Sequence, residues 1–344
     1  MFNLGEKEKK NGFPVKFRDI IQKKVNLSSF TSFKIGGDAD IYITPSSPKE
    51  LEAVLAFIHE EHIPAILLGG GTNLLISDDG IRGAVIHTRR LNNIRLLQSA
   101  GKQLVQAEAG ALMQDLTEFC AEHGLTGLED FAGLPGTVGG AVFMNARCYE
   151  KSISDVLISA AVLYFSEKGC TIEEYECRQE DWEYKRSPFQ PQNKRYAECD
   201  RNRPVIVSAT FRTEPAETTD IRKTMESRIA DRTAKGHFKL PSAGSVFKNN
   251  HAFGKPSGQL IDEAGLRGLQ IGGAQVAPWH GNFIVNTGSA TARDVMELIG
   301  TIQRQVKDKT GFELEPEIIV AGLERTIHTL RQTGIMMASK KRRG

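Results

Sequence analysis

The sequence predicts a layered protein of mixed helix and strand, α+β in class, and three observations predict it. A helical pattern feeds a short apolar run that ends in glycines, "ILLGGGTNLLISDDG" over residues 66–80. About sixty residues further on, after a second helical pattern, glycines crowd again in "GLEDFAGLPGTVGGAVFMNA". Two later apolar runs, "VLISAAVLYF" and "PVIVSATFR", read as strands that close the same layered unit, and a helix follows them. Helix, strand and loop in succession are the order of a sheet packed against helices.

At 344 residues, 40% hydrophobic and 25% charged, the chain has a globular composition and length enough for two or three domains. The first helix is signalled by "SSPKELEAVLAFIHEEHIP": Ser47 can cap it, Pro48 suits its first turn and Glu50 completes a capping box. Leu51, Val54, Leu55 and Ile58 form its apolar stripe. "AILL" and "GAVIHT" follow as strands. A second helix, from Leu112 to His123, sets Leu112, Leu116, Phe119 and Cys120 on one side and stops at Gly124. "ETTDIRKTMESRIADR", with Ile221, Met225 and Ile229 at helical spacing, opens a C-terminal domain. That domain holds "PSAGSVFKNN", the helix "ARDVMELIGTIQRQVKDKTG" and the strand-like "FELEPEIIVAG". The expected division is an N-terminal extension (1–26), a first domain (27–213) in two subdomains (about 27–90 and 91–213), a C-terminal domain (214–325) and a basic tail (326–344).

Several function classes are argued against. A formal net charge of +2 supplies no long-range field suited to nucleic acid, and Lys340, Lys341, Arg342 and Arg343 read as a solvated tail. The opening "MFNLGEKEKKNGF" lacks the apolar core of a signal peptide, and the longest apolar stretch is too short to span a bilayer. A cytoplasmic protein without a membrane partner is expected. Five cysteines (Cys120, Cys148, Cys170, Cys177, Cys199) with no C-x-x-C pair read as reduced thiols, not disulfides or a zinc site. "HEEH" (His59 to His62) has the wrong order for a zinc helix and ends against Pro64, so no metal site is expected. The sequence does not fix the oligomeric state; a monomer is the expectation.

Glycine lets another molecule approach peptide N–H groups closely, so each loop is either a tight turn or an anion cradle. Two such loops suit a ligand with two linked phosphates. Neither is followed by G-K-[ST], and neither has the G-x-G-x-x-G that opens a dinucleotide-binding βαβ unit.

"SSFTSFKIGGDADIYITP", "LLGGGTNLLISDDGIRGAVI", "GLEDFAGLPGTVGGAVFMNA", "SAGSVFKN" and "LEPEI", in this order, closely resemble the UDP-N-acetylenolpyruvoylglucosamine reductases, from about residue 27 to about 322. The resemblance implies a flavoprotein fold of the vanillyl-alcohol-oxidase type, with FAD in a two-part N-terminal unit and a C-terminal domain for substrate. It implies that the FAD pyrophosphate lies against Gly69, Gly70, Gly71, Thr72, Asn73 and Leu74 and against Pro135, Gly136, Thr137, Gly139 and Gly140. It further implies hydride transfer from NADPH to FAD and on to the enolpyruvyl double bond of a UDP-sugar, giving UDP-N-acetylmuramate. The connection between "SATFRT" and the helix near Ile221 is short, which resembles the class of this family without a long tyrosine-bearing loop over the substrate.

Hydride delivery to that double bond leaves a developing carbanion beside a carboxylate, so the site needs charge stabilisation and a proton. In "AGSVFKNN" an extended backbone sets Ser245, Phe247 and Asn249 on one face, with Lys248 beside them. The resemblance makes Ser245 the proton donor. "LEPE" offers Glu315 and Glu317, which period alone cannot separate; the resemblance selects Glu317. Desolvation and a neighbouring substrate carboxylate would favour its protonated form, able to hydrogen-bond to the growing enolate. "WEYKRSPFQ" departs from the family's Tyr-Arg: after Tyr184 stand Lys185 and Arg186, and keeping Tyr184 and Ser187 in register puts Lys185 in the arginine's place. Lysine keeps the charge but loses the two-pronged grip on a carboxylate. In "GGAQVAPWHGNFIVN", His280 and Asn282 are candidate substrate contacts, with core packing the competing account, and Tyr184, Lys248 and Asn249 are expected to meet substrate as well. Another flavin oxidase of the same fold, or a flavin-free nucleotide-sugar binding protein, are the alternative readings.

Overall fold

The computed structural model describes residues 9–10, 13–99, 102–166, 169–190 and 204–322. The basic tail and Cys199 lie outside the described residues.

The first part of the chain supplies β1 (Ile21–Asn26), β2 (Asp38–Ile43), β3 (Ala65–Leu68), β4 (Leu74–Ile76) and β5 (Ile81–His87). Four of them form a sheet in the order β1-β2-β5-β3, antiparallel at β1-β2 and parallel elsewhere. Residues 13–26, expected as extension, belong to this unit: β1 is its edge strand, and the Phe13 and Phe17 rings lie 5.0 and 6.0 Å from Phe57. Helix α1 (Pro48–Glu60) buries Leu51, Val54, Leu55 and Ile58 as its stripe predicts. Ser47 accepts from the Glu50 N–H, but the Glu50 carboxylate accepts from the N–H and hydroxyl of Ser46 (2.6 and 2.8 Å), so the reciprocal half of the expected box falls one residue earlier.

The second sheet is antiparallel throughout, in the order β9-β8-β10-β7-β6, from β6 (Ile94–Ser99), β7 (Lys102–Glu108), β8 (Leu157–Ser166), β9 (Gly169–Glu176) and β10 (Val205–Arg212). The two apolar runs predicted as strands are thus hydrogen-bonded neighbours. Helices α2 (Met113–Glu122) and α3 (Val138–Phe143) share a core with this sheet, through Leu116, Val138 and Val142 against Val105, Ala160 and Phe211. Leu112 does not join it. It is the extended residue before α2, 45% exposed, and Met113 takes the inner position.

Only Thr213–Glu217 separate β10 from α4 (Thr218–Ala234). Ile221 and Met225 pack against Ala121 and Ala132, whereas Ile229 is largely exposed. Ion pairs Arg222–Glu118 (2.6 Å) and Arg228–Asp130 (2.9 Å) add to this clasp, so α4 fastens onto the unit that precedes it.

The last unit is a sheet in the order β11-β14-β13-β12, from β11 (Ser242–Ser245), β12 (Gln270–Ile271), β13 (Ala274–Val276) and β14 (Phe283–Asn286), with helices α5 (Ser257–Glu263) and α6 (Ala292–Thr310). Val295, Leu298, Ile302 and Val306 of α6 share its core with Phe247, Leu260 and Ile284. A capping box of Thr291 and Asp294 starts α6, and Gly311 at φ +78° ends it. Of "FELEPEIIVAG", only β15 (Ile319–Ala321) is a strand, and it pairs in parallel with β4 of the first unit. That return brings "LEPE" beside the first glycine loop. Among the described residues, no helix is long and apolar enough to cross a membrane, and no group of three or more His, Cys, Asp or Glu is placed to hold a metal ion.

Candidate active site

A cleft of about 1020 Å³ opens where the three units meet. One wall is the two glycine loops laid on each other. A Cβ on Gly70 would stand 2.6 Å from the Gly136 Cα, one on Gly69 2.5 Å from the Thr137 hydroxyl, and one on Gly136 2.7 Å from the Thr72 hydroxyl. Gly71 has φ +63°, and a Cβ there would meet the Phe30 carbonyl at 2.1 Å. The second loop is fixed by its backbone: the N–H groups of Val138 and Gly139 donate to the carbonyls of Ala111 and Ala109 (2.8 and 2.9 Å), and Thr137 caps α3. Among the described residues, the N–H groups of Gly70, Gly71 and Thr72 find no acceptor. Close-packed glycines with unspent amides facing a cleft fit an extended pyrophosphate.

Ser245, Glu317 and Lys185 line the same cleft. Glu317 is set by its backbone: its N–H donates to the Val246 carbonyl (2.7 Å), its carbonyl accepts from the Asn73 side chain (3.2 Å), and the Ile319 N–H donates to the Asn73 carbonyl (2.9 Å). Asn73 therefore ties the first glycine loop to the segment bearing Glu317. The Glu317 carboxylate lies 2.8 Å from the Lys185 ammonium, both side chains being mostly buried. Lys185 stands in a turn, at φ +58°, closed by mutual hydrogen bonds between Glu183 and Arg186. That turn docks on the end of α3, where the Ser187 hydroxyl and the Gln190 side chain both donate to the Phe143 carbonyl (2.7 Å each). Arg186 faces away, 3.2 Å from Glu183.

All the glycine-loop residues named from sequence, Gly69 to Leu74, Pro135, Gly136, Thr137, Gly139 and Gly140, line the cleft, as does His280. Tyr184, Arg186, Lys248, Asn249 and Asn282 are not among its lining residues. The extended-strand reading of "AGSVFKNN" fails because β11 ends at Ser245 and the chain bends at Val246, so that the neighbours Val246 and Phe247 are both buried. Ser245 consequently faces the cleft while Phe247 is buried in the core. Asn282 brackets Phe247, accepting from its N–H (2.9 Å) and donating to its carbonyl (2.8 Å). Asn249 accepts from the Ser257 N–H at the start of α5, and Lys248 pairs with Glu315 at 3.0 Å. Tyr184 is 40% exposed, its ring 6.4 Å from that of His251.

Comparison with known proteins matches this arrangement piece by piece. Residues 39–170 match the family described as FAD binding domain, and residues 236–321 match the UDP-N-acetylenolpyruvoylglucosamine reductase, C-terminal domain. The Treponema denticola UDP-N-acetylenolpyruvoylglucosamine reductase is 51% identical over 297 residues, spanning 86% of this chain and 92% of its own. The chain belongs to the UDP-N-acetylenolpyruvoylglucosamine reductase family. The Borreliella burgdorferi reductase is 39% identical over 87% of this chain and 94% of its own. The solved Thermus caldophilus reductase superposes with a TM-score of 0.68 at 32% identity, covering 87% of this chain and 98% of its own. Members of this family are FAD-dependent oxidoreductases of peptidoglycan precursor synthesis, and the FAD binding domain spans the first glycine loop and the second.

Sequence reasoning missed part of the cleft: Cys148, Tyr149, Arg232, Lys235 and His237 also line it. Burial pushes the His237 imidazole down to about 4, and it also lowers His280, whose ring lies 6.0 Å away. The signal available for this group was a run of cations and a histidine immediately before "PSAGS", whose inward direction only the packing of α4 reveals.

Proposed function

We propose that this protein reduces the enolpyruvyl group of UDP-N-acetyl-3-O-(1-carboxyvinyl)-glucosamine to UDP-N-acetylmuramate at the expense of NADPH. The observation that carries the reading is the convergence of Ser245, Glu317 and Lys185, from three separate segments, on the cleft walled by the glycine loops.

FAD, when bound, would supply the hydride chemistry that links the nicotinamide to the enolpyruvyl group. Gly69 to Leu74, with Pro135 to Thr137, Gly139 and Gly140, would line the pyrophosphate's seat, with the N–H groups of Gly70, Gly71 and Thr72 donating to it. Ser245 gives a proton to the carbanion next to the carboxylate. A hydroxyl is a poor acid in water, so it serves here only against a strongly basic carbon held within about 3 Å. Lys185, paired with Glu317 in this structure, turns to the substrate carboxylate, and Glu317, as the protonated acid, hydrogen-bonds to the enolate-like charge. His280 is a further substrate contact.

Purified protein should carry flavin absorbance and oxidise NADPH only when the enolpyruvyl UDP-sugar is present. NADPH oxidation that runs equally well with oxygen alone would assign it to another flavin-dependent activity, and a colourless protein that binds no FAD would reject both.

A further inference from the structure

Beneath the first glycine loop lies a chain of polar groups that takes no part in the chemistry above. Tyr42 of β2 and His87 of β5 are both buried, and the Tyr42 hydroxyl meets the His87 Nδ1 at 2.6 Å. The Phe30 ring packs on both, 5.1 Å from Tyr42 and 5.4 Å from His87. Arg89 donates to the Tyr42 oxygen, which leaves the hydroxyl proton for Nδ1. Burial pushes His87 down to about 4 and keeps it neutral, so its single ring proton stands on Nε2. His87 is the register partner of Leu68, the last residue of β3, and it hydrogen-bonds to the Gly69 backbone. With Nδ1 taken by Tyr42, that bond runs from the Nε2–H to the Gly69 carbonyl.

A trans peptide points its carbonyl and the N–H that follows in opposite directions. A Gly69 carbonyl held on the inner side therefore turns the Gly70 N–H outward, and the Gly71 carbonyl, which accepts from the Ser32 N–H at 3.1 Å, does the same for Thr72. The Gly70 and Thr72 N–H groups have no acceptor among the described residues, and both residues line the cleft. Two glycines in succession carry no side chain to fix the peptide plane between them, so the partner of its carbonyl decides where it points. We propose that His87, with Tyr42 setting its tautomer, is a positioning residue that turns the Gly70 amide toward the cofactor's pyrophosphate and so sets the affinity for FAD. The proposal rests on the glycine loops being the pyrophosphate's seat, not on the enolpyruvyl reaction, and its test uses no UDP-sugar.

FAD affinity of the flavin-free protein and its stability in urea are measured side by side for the parent, His87→Leu, His87→Gln, Tyr42→Phe, the double variant Tyr42→Phe with His87→Leu, and Gly70→Ala. His87→Leu should weaken FAD at least ~10-fold, the loss of one hydrogen bond to a charged group. The glutamine amide can donate from where the Nε2–H stands, so His87→Gln should recover most of that loss. Tyr42→Phe, which lets the ring proton move to Nδ1, should weaken FAD a few-fold. The double variant strands neither polar group and should regain urea stability over His87→Leu while binding FAD just as weakly. Affinity that returns together with stability in the double variant would make the pair a structural support only and overturn the proposal. A glutamine variant no better than leucine, or parent-like affinity in His87→Leu, would overturn it too. If Gly70→Ala weakens FAD while His87→Leu does not, the relay alone fails; if neither weakens FAD, the pyrophosphate seat fails with it. Should His87→Leu not fold, the double variant and Tyr42→Phe decide, parent-like affinity in both counting against the proposal.

Discussion

Lys185 and Arg186 show how one side chain is chosen over its neighbour. Strand logic sends adjacent residues to opposite faces, but the backbone here is a turn with Lys185 at φ +58°, and the turn itself aims Lys185 inward and Arg186 at Glu183. Register with the family therefore named a cleft-lining residue, while the geometry behind it was invisible: nothing in "WEYKRSPFQ" specifies that Ser187 and Gln190 anchor the turn on Phe143. Lys185→Met should lower turnover and, by leaving a mostly buried Glu317 carboxylate unpaired, cost on the order of 1–3 kcal/mol in urea unfolding. A double variant with Glu317→Gln should regain part of that stability without regaining turnover. The cysteines give a second check. Burial raises the Cys120 thiol to about 12 and Cys177 to about 11, so both should resist alkylation at neutral pH in the folded protein and react promptly once it is unfolded in urea.

At the scale of elements, the two glycine loops were legible because glycine has few reasons to cluster at a strand end. Their mutual contact was not: the closeness of Gly70 to Gly136 joins residues far apart in the chain and depends on how β3 meets α3. Gly70→Ala should push the loops apart, weakening FAD binding by ~10-fold or more and lowering the thermal unfolding temperature of the flavin-free protein as well. Equal FAD affinity, read by fluorescence titration, would count against the cradle. The substrate-side elements were read less well. The end of β11 at Ser245 and the bend at Val246 break the two-residue alternation on which the faces of Ser245, Phe247 and Asn249 were assigned. Asn282 then serves Phe247 rather than the cleft, a role that no local pattern could announce because its partner is thirty-five residues away.

On the scale of the whole molecule, β15, the last strand among the described residues, returns to β4 and carries Glu317 into the cleft between Asn73 and Val246. Helical period and turn residues predicted most elements, but no period encodes such a long-range return; the family resemblance, not the pattern, pointed to Glu317. The same packing buries imidazoles. His87, bonded to the Tyr42 hydroxyl at 2.6 Å, and His237 are both pushed by burial down to about 4. Unfolded histidines protonate near 6.5, so between about 6.5 and 4 the unfolded chain binds more protons and stability falls as pH falls. Each contributes a slope of up to about 1.4 kcal/mol per pH unit in that window, and His87→Gln should remove one of the two from the pH dependence of urea unfolding. The central claim is that Ser245 delivers the proton that completes the reduction. Rapid mixing without oxygen tests it on each half of the reaction separately. For Ser245→Ala, NADPH should bleach the flavin at nearly the parent rate, whereas reoxidation by the enolpyruvyl UDP-sugar should slow by at least ~100-fold; comparable slowing of both halves, or of neither, would contradict the account.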